Sequence, residues 1–307
     1  MFSKTIKTLK KLSIWTKLLF IFIVILFITI IVNKYRPTQE GFHQREKYIL
    51  KQNGDIYDSF YASIYGDLFD NSIKNKFEID EISRVTNMGK NSAVLDIGSG
   101  LGNHVNSFSK KTKSCVGVDK SISMINEAKK NFNTCDFKHA NILDFMTFQA
   151  NSFTHITCLY FTIYYIKDKI NMFKNCYDWL APGGFLVLHM VNRDKFDPIL
   201  DVANPLHIVN LQRYAPKRIT SSNVTFKGFD YKADFALDKK RNLAEFNETF
   251  KDNKTNHVRA NKHTLYMETQ KHILSLAKNV GFILKGKIDL ISCQHEYQYL
   301  YIMYKPE

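Results

Sequence analysis

The chain has 307 residues, 45% of them hydrophobic and 23% charged, which is enough for a packed core and excludes global disorder. Its 13 Gly and 6 Pro exclude collagen-like and proline-rich classes. The net charge of +14 suggests a polyanion partner, but seven of the 43 basic residues and none of the 29 acidic ones fall in the first 36 positions. Half of the excess is thus an N-terminal tail, and the remainder reads as a solvated Lys-rich surface. Cys115, Cys135, Cys158, Cys176 and Cys293 form no C-x-x-C pair and are expected as reduced thiols.

Residues 18–32 read LLFIFIVILFITIIV, uncharged with one Thr. At 1.5 Å per residue they span roughly 23 Å, less than the ~30 Å hydrocarbon core. Lys17 can snorkel, and Trp15 and Tyr35 suit interfaces. Residues 1–36 are therefore expected to be a basic tail and a retained single-pass transmembrane anchor, giving a membrane localisation. The rival is a cleaved signal peptide, but the following NKYRPTQ lacks a small-x-small cleavage pattern. Five Lys precede the span while Lys34 and Arg36 follow it, so the charge rule favours a cytoplasmic N-terminus only modestly.

Residues 37–92 open as a polar linker to about residue 54, then carry Tyr57, Phe60, Tyr61, Tyr65 and Phe69 at helical spacing. Residues 93–192 alternate strand and helix. Strands are expected at 93–97, 114–119, 135–139, 153–160 and 185–190, with helices at about 103–111, 121–132 and 167–180 between them. Ser121 is placed to cap the second helix, and Ala181-Pro182-Gly183-Gly184 to stop the third. This rhythm predicts a parallel, doubly wound α/β sheet. Residues 193–265 break it with short alternating runs that read as antiparallel strands with one wet face. Residues 266–307 resume with a helix and two strands.

The chemistry concentrates at Val94-Leu95-Asp96-Ile97-Gly98-Ser99-Gly100-Leu101-Gly102-Asn103, a strand entering a glycine turn and then a helix. In a parallel sheet such a turn lies at the carboxyl ends of the strands, where ligands bind. A dinucleotide fingerprint would need its third Gly at Asn103; here it is Gly102, and Asp96 would repel a pyrophosphate. Asp119, at the end of the second strand, can accept from both hydroxyls of a ribose. Such a pocket wants a cationic nucleoside without phosphates.

These residues resemble the class I S-adenosylmethionine-dependent methyltransferases. VLDIGSGLG is similar to their first motif and VGVDKS to their second. CDFKHANILD sits where the adenine loop falls, and NSFTHITCLYFTIYYIKD and NCYDWLAPGGFLVLHM resemble the later strands. The resemblance covers about residues 55–192 and 268–307. It implies a Rossmann-like seven-stranded sheet, with residues 193–265 an inserted antiparallel substrate cover like those of small-molecule N-methyltransferases, and S-adenosylmethionine as cofactor.

Carried over by position, Gly98, Ser99, Gly100 and Gly102 shape the floor, Asp96 holds the methionine amino group and Asp119 the ribose. Ser121 and Met124 flank the adenine, Asn141 meets its edge, and Tyr160 lies by the methionine part. Tyr57, Tyr61 and Tyr65 cover the sulfonium. Asn141 stands where many relatives have Asp, and Thr154 where many have Asp at the start of the fourth strand. Each role has a plainer rival: Asp96 and Asp119 as strand-end caps, the tyrosines as core, Asn141 as a turn residue.

His189 is the best candidate for a substrate-side base and Tyr164 the second, although His189 also reads as a satisfied core histidine. An amine acceptor needs only to arrive deprotonated, while a hydroxyl wants a base. Asp230, Asp234, Glu245 and Glu248 suit a cationic substrate or merely the wet face of the sheet. The expected partners are a small-molecule acceptor and a membrane. No RNA-binding module accompanies the basic patches, which speaks against nucleic acid. The same chemistry on a protein or lipid, and an idle methyltransferase-fold scaffold, stay as alternatives. A cytosolic cofactor conflicts with the charge-rule orientation, so the side of the membrane is left open.

Overall fold

The computed structural model describes residues 13–35, 46–203, 212 and 214–307. Contacts divide the chain into two units, Met1–His43 and Gln44–Glu307. In the first, Ile14–Tyr35 form a helix, α1. The expected anchor is not supported, because among the described residues no helix is long and apolar enough to cross a membrane. The run 18–32 is fifteen residues with Lys17 in the first turn of the helix, so its apolar length falls short of the hydrocarbon core. The anchor, the membrane localisation and the membrane partner drawn from it are withdrawn.

The second unit begins with β1 (Tyr48–Gln52), a strand inside the segment read as linker, followed by α2 (Ser59–Phe69) and α3 (Ser72–Thr86). Asp58 caps α2 by accepting from the Tyr61 amide, and Asn71 caps α3 from that of Lys74. Next come β2 (Ala93–Ile97), α4 (Asn103–Ser109), β3 (Ser114–Asp119), α5 (Ile122–Asn131), β4 (Asp136–His139) and β5 (Phe153–Cys158). A single turn, α6 (Thr162–Tyr165), precedes α7 (Lys169–Trp179) and β6 (Leu180–Val191). Four strands follow, β7 (Ser221–Thr225), β8 (Phe229–Asp238), β9 (Leu243–Asp252) and β10 (Val258–Tyr266). The chain closes with α8 (Gln270–Val280), β11 (Ile283–Asp289) and β12 (Gln298–Tyr304).

Seven strands make one sheet in the order β11-β12-β6-β5-β2-β3-β4. The five from β6 to β4 are parallel and β12 runs against both its neighbours, so the sheet is mixed. Val94, Leu95, Ile156, Cys158, Leu186, Val187 and Leu188 are fully buried, as a sheet covered on both faces requires. Each such aliphatic side chain stabilises the fold by about 1.5–3 kcal/mol. Gly183 and Gly184 lie within β6, which bulges against β5 between Phe153 and His155; the expected helix stop has been drawn into the strand.

The second sheet has the order β1-β10-β9-β8-β7. Its β7 to β10 are antiparallel, as their alternation predicts, and β1 joins its edge parallel to β10. On β8 alternate residues are buried, Phe229, Tyr231, Ala233 and Phe235, while Asp230, Lys232 and Ala236 are exposed.

Candidate functional site

The carboxyl ends of β2, β3 and β5 open into a cavity of about 820 Å³, bounded also by α2, α6 and residues of β8, β9 and β10. The turn after β2 forms part of its wall. Gly98 has φ +68°, and a Cβ there would stand 2.5 Å from Thr162 Cγ2, so only glycine lets the turn pass under α6. Gly102 does something else. It is the N-cap of α4 at φ +86°, and a Cβ would press 2.5 Å from the Phe137 ring; it joins helix to sheet and lies outside the cavity lining.

Asp119 lines the cavity at the end of β3. Its Oδ2 accepts from the Gly100 amide at 3.1 Å and its Oδ1 from the Ser121 amide at 2.8 Å. Burial pushes this carboxyl up, and those two amides oppose the rise. Ser121 caps α5 by accepting from the Met124 amide at 3.1 Å, and donates to the Tyr57 carbonyl at 2.6 Å, so it ties the segment that enters α2 to the second motif. Met124 and Asn141 line the same cavity. The Asn141 Oδ1 accepts from the Leu143 amide at 3.2 Å, as a turn residue would.

Asp96 is set apart. It borders a small adjoining cavity of about 60 Å³ that shares Gly98, Gly100, Tyr65 and Tyr160 with the large one and also touches Ser99. Its Oδ1 accepts from Thr157 Oγ1 at 2.6 Å. Burial pushes its carboxyl up to about 6, against His104 and the Thr157 bond. Ser99 Oγ is buried with no hydrogen-bond partner among the described residues.

Tyr57, Tyr61, Tyr65 and Tyr160 all line the large cavity. Tyr61 is also core: its hydroxyl donates to Glu248 at 3.1 Å, and its ring packs edge-on against Tyr57 and Tyr65. Tyr160 has φ +51°, and its hydroxyl donates to the Phe69 carbonyl at 2.9 Å.

The structure does not bring either proposed base into the cavity lining. His189 is fully buried, with Nδ1 on the Tyr160 carbonyl and Nε2 3.0 Å from the Gln298 side chain. Burial lowers its pKa to about 4. Both ring nitrogens are engaged, so its role is to fix the backbone of Tyr160. Tyr164 is fully buried too and accepts from the Val191 amide at 2.9 Å. The place of His189 at the end of β6 suggested the ligand crevice, but its imidazole is buried between the Tyr160 carbonyl and Gln298 of β12, the strand paired with β6.

Two groups escaped the sequence reading. Lys74, Glu78 and His104 form a buried chain beside the glycine turn, with Lys74 Nζ 2.6 Å from Glu78 and 3.8 Å above the Tyr160 ring. The i, i+4 spacing of Lys74 and Glu78 was the available signal. Tyr165, adjacent to the chosen Tyr164, is the one that faces the cavity. Of the four acids weighed on the inserted sheet, Asp230 and Glu245 are exposed and Asp234 is half-buried, whereas Glu248 is buried.

Residues 94–184 match the family described as "Methyltransferase domain". A ubiquinone biosynthesis O-methyltransferase of Coxiella burnetii is 30% identical over 134 residues, which are 42% of this chain and 55% of that protein. The chain thus spans about half the length of the curated relatives it matches. An S-adenosylmethionine-dependent methyltransferase from Clostridium acetobutylicum is similar in structure, with TM-score 0.60, 18% identity, and coverage of 81% of this chain and 97% of that one. The sugar N-methyltransferase KedS8 from Streptoalloteichus gives 0.58 at 16%, over 89% and 98%. CalS10, an amino pentose methyltransferase from Micromonospora echinaspora solved with its cofactor bound, gives 0.55 at 16%, over 80% and 96%. Residues 94–184 therefore match a methyltransferase domain, and the chain shares the fold of solved S-adenosylmethionine-dependent methyltransferases.

Proposed function

We propose that the chain transfers a methyl group from S-adenosylmethionine to an oxygen or nitrogen of a small molecule. The observation that carries this reading is the Asp119 carboxylate, held by the amides of Gly100 and Ser121 at the wall of the cavity. Asp119 and Asp96 present acceptors on either side of the glycine turn, which suits ribose hydroxyls and an ammonium group and opposes phosphate. Asp119 would hold the ribose, Asp96 and Ser99 the amino-acid end, Met124 and Asn141 the base, and Tyr57 and Tyr65 the region of positive charge.

When bound, S-adenosylmethionine supplies a methyl group on a sulfonium leaving group. The residues of this chain then have to position the acceptor and exclude water, a contribution of up to ~7–11 kcal/mol in favourable cases. The core of residues 93–192 would hold the cofactor and the inserted residues 193–265 the acceptor. The names of the Coxiella relative and of KedS8 support a small-molecule acceptor.

Titration calorimetry of the full chain tests the reading. Binding of S-adenosylmethionine without binding of NADH is expected. Heat with NADH alone overturns it in favour of a dinucleotide enzyme, and heat with neither favours an idle scaffold.

A further inference from the structure

We propose that Tyr165, His263 and Glu248 form a proton relay from the cavity into the inserted sheet, and that the methyl acceptor is a hydroxyl compound. The inference rests on the methyltransferase reading above and concerns its acceptor side. Tyr165 is half-buried in the cavity wall, and its hydroxyl lies 3.0 Å from His263 Nδ1. His263 Nε2 lies 2.8 Å from Glu248 Oε2. Glu248 and His263 are each 1% exposed. A carboxylate cannot donate, so Nε2 carries a proton and, in the neutral ring, Nδ1 is the acceptor for the Tyr165 hydroxyl.

The surroundings hold that arrangement. The remaining capacity of Glu248 is filled by the hydroxyls of Tyr61 at 3.1 Å and Tyr231 at 2.8 Å and by Asn261 Nδ2 at 3.1 Å. Tyr57 just before α2, Tyr61 from α2 and Phe246 from β9 pack their rings about His263. On its own strand, Arg259 is taken up by Asp58 at 2.9 Å and by Asn261. Glu248 is thus the carboxylate in contact with the imidazole, and its other partners, two tyrosine hydroxyls and an amide, are neutral.

An amine can attack through its lone pair, but a hydroxyl must lose its proton as it attacks. Here the acceptor O–H proton passes to the Tyr165 oxygen while the Tyr165 proton passes to His263 Nδ1. The acceptor oxygen forms its bond to the methyl carbon as the carbon–sulfur bond breaks and the sulfonium becomes a neutral thioether. The imidazolium is paired with Glu248 until the proton returns through Tyr165 to water. Tyr165 is then a catalytic residue, and His263 and Glu248 act through it as positioning residues.

The test uses the full chain with S-adenosylmethionine and three acceptors: catechol, methyl glucoside and glucosamine. Methylation of a hydroxyl acceptor is expected. Tyr165→Phe should lower its kcat about 10²-fold or more while cofactor affinity stays within threefold. Glu248→Gln should lower kcat for the hydroxyl acceptor about tenfold or more with its KM within threefold; a purely structural role would raise KM as well. Independently of any acceptor, nitrogen NMR of labelled histidine, assigned by loss of one signal in His263→Gln, should show Nε2 protonated and Nδ1 bare at pH 7.5. In Tyr165→Phe the Nδ1 signal alone should shift.

A protonated Nδ1, N-methylation of glucosamine with no hydroxyl acceptor turned over, or turnover of none of the three, overturns the proposal. So does a Tyr165→Phe variant at near wild-type rate. Absence of cofactor heat removes the methyltransferase reading itself, a failure that calorimetry separates from these.

Discussion

Two buried carboxylates near the cavity are held by opposite means. Glu78, on α3, is fully buried with Lys74 one turn away at 2.6 Å and His104 at 3.1 Å. Glu248, on β9, is held by hydroxyls, an amide and an imidazole from α2, β8 and β10. The first charge is cancelled by another charge, so the group is a fixed strut under Tyr160. The second is spread over donors that keep their own protons, so it stays available to stabilise an imidazolium. Similar burial therefore yields a structural ion pair in one place and a reactive network in the other.

The largest effect that would break this contrast is on stability. Glu78→Ala leaves the Lys74 cation, 1% exposed, without its counter-charge, and should cost about 3–5 kcal/mol in urea unfolding. Glu248→Gln keeps the shape and one acceptor and should cost about 1–3 kcal/mol. Equal costs would mean that both carboxylates are struts. Burial alone would raise the Glu78 carboxyl, but Lys74 and then His104 hold it well below the ordinary range. Its folded pKa thus lies below its unfolded value of about 4.3. Its stabilisation is full above that pH and is lost as pH falls below it, a loss that Glu78→Gln should flatten in acid unfolding curves.

A third carboxylate sharpens the comparison, because Asp119 is held by backbone amides alone at one side and is offered to the ligand at the other. On the proposed function, Asp119→Ala removes charged hydrogen bonds worth about 1.5–3 kcal/mol. S-adenosylmethionine should bind about 10- to 100-fold more weakly by calorimetry. An unchanged affinity would make Asp119 a strand-end cap.

The same contrast explains what could be seen in the residues. The bounds of β2 and β3, the glycine turn and the two aspartates were legible because backbone geometry dictates them over a few adjacent positions. Gly98 answers a close approach to Thr162, and Asp119 ends a strand whose partner is next in the chain. Alternation also announced β8 and β9. The strand β1 was missed because five residues in a polar segment acquire their pairing only from β10, some 200 positions later. The relay was missed for the same reason: Tyr165, Glu248 and His263 lie on three elements, and nothing local distinguishes Glu248 from the exposed Glu245 except the side of the strand it occupies. His189 misled because its position at a strand end is real, while its partner Gln298 comes from the last strand to join.

The smallest expected effect concerns Asp96, the carboxylate between the two extremes. Among the described residues it has one hydroxyl donor, Thr157, and no cation bonded to it, and burial leaves its carboxyl raised to about 6. If it faces the ammonium end of the cofactor, it must be ionised to pair, so affinity should rise with pH through that value. Between pH 7.5 and pH 5 the ionised fraction falls about tenfold, which bounds the weakening from this group at roughly that factor. Asp119 is raised in the same direction, so the wild-type slope mixes the two. Asp96→Asn removes one contribution and leaves the other. Its affinity at pH 7.5 should drop by about the Asp96 share of the wild-type loss between pH 7.5 and pH 5, and its residual slope belongs to Asp119. An Asp96→Asn protein with the full wild-type slope would assign the whole pH dependence to Asp119 and leave Asp96 as a partner of Thr157 alone.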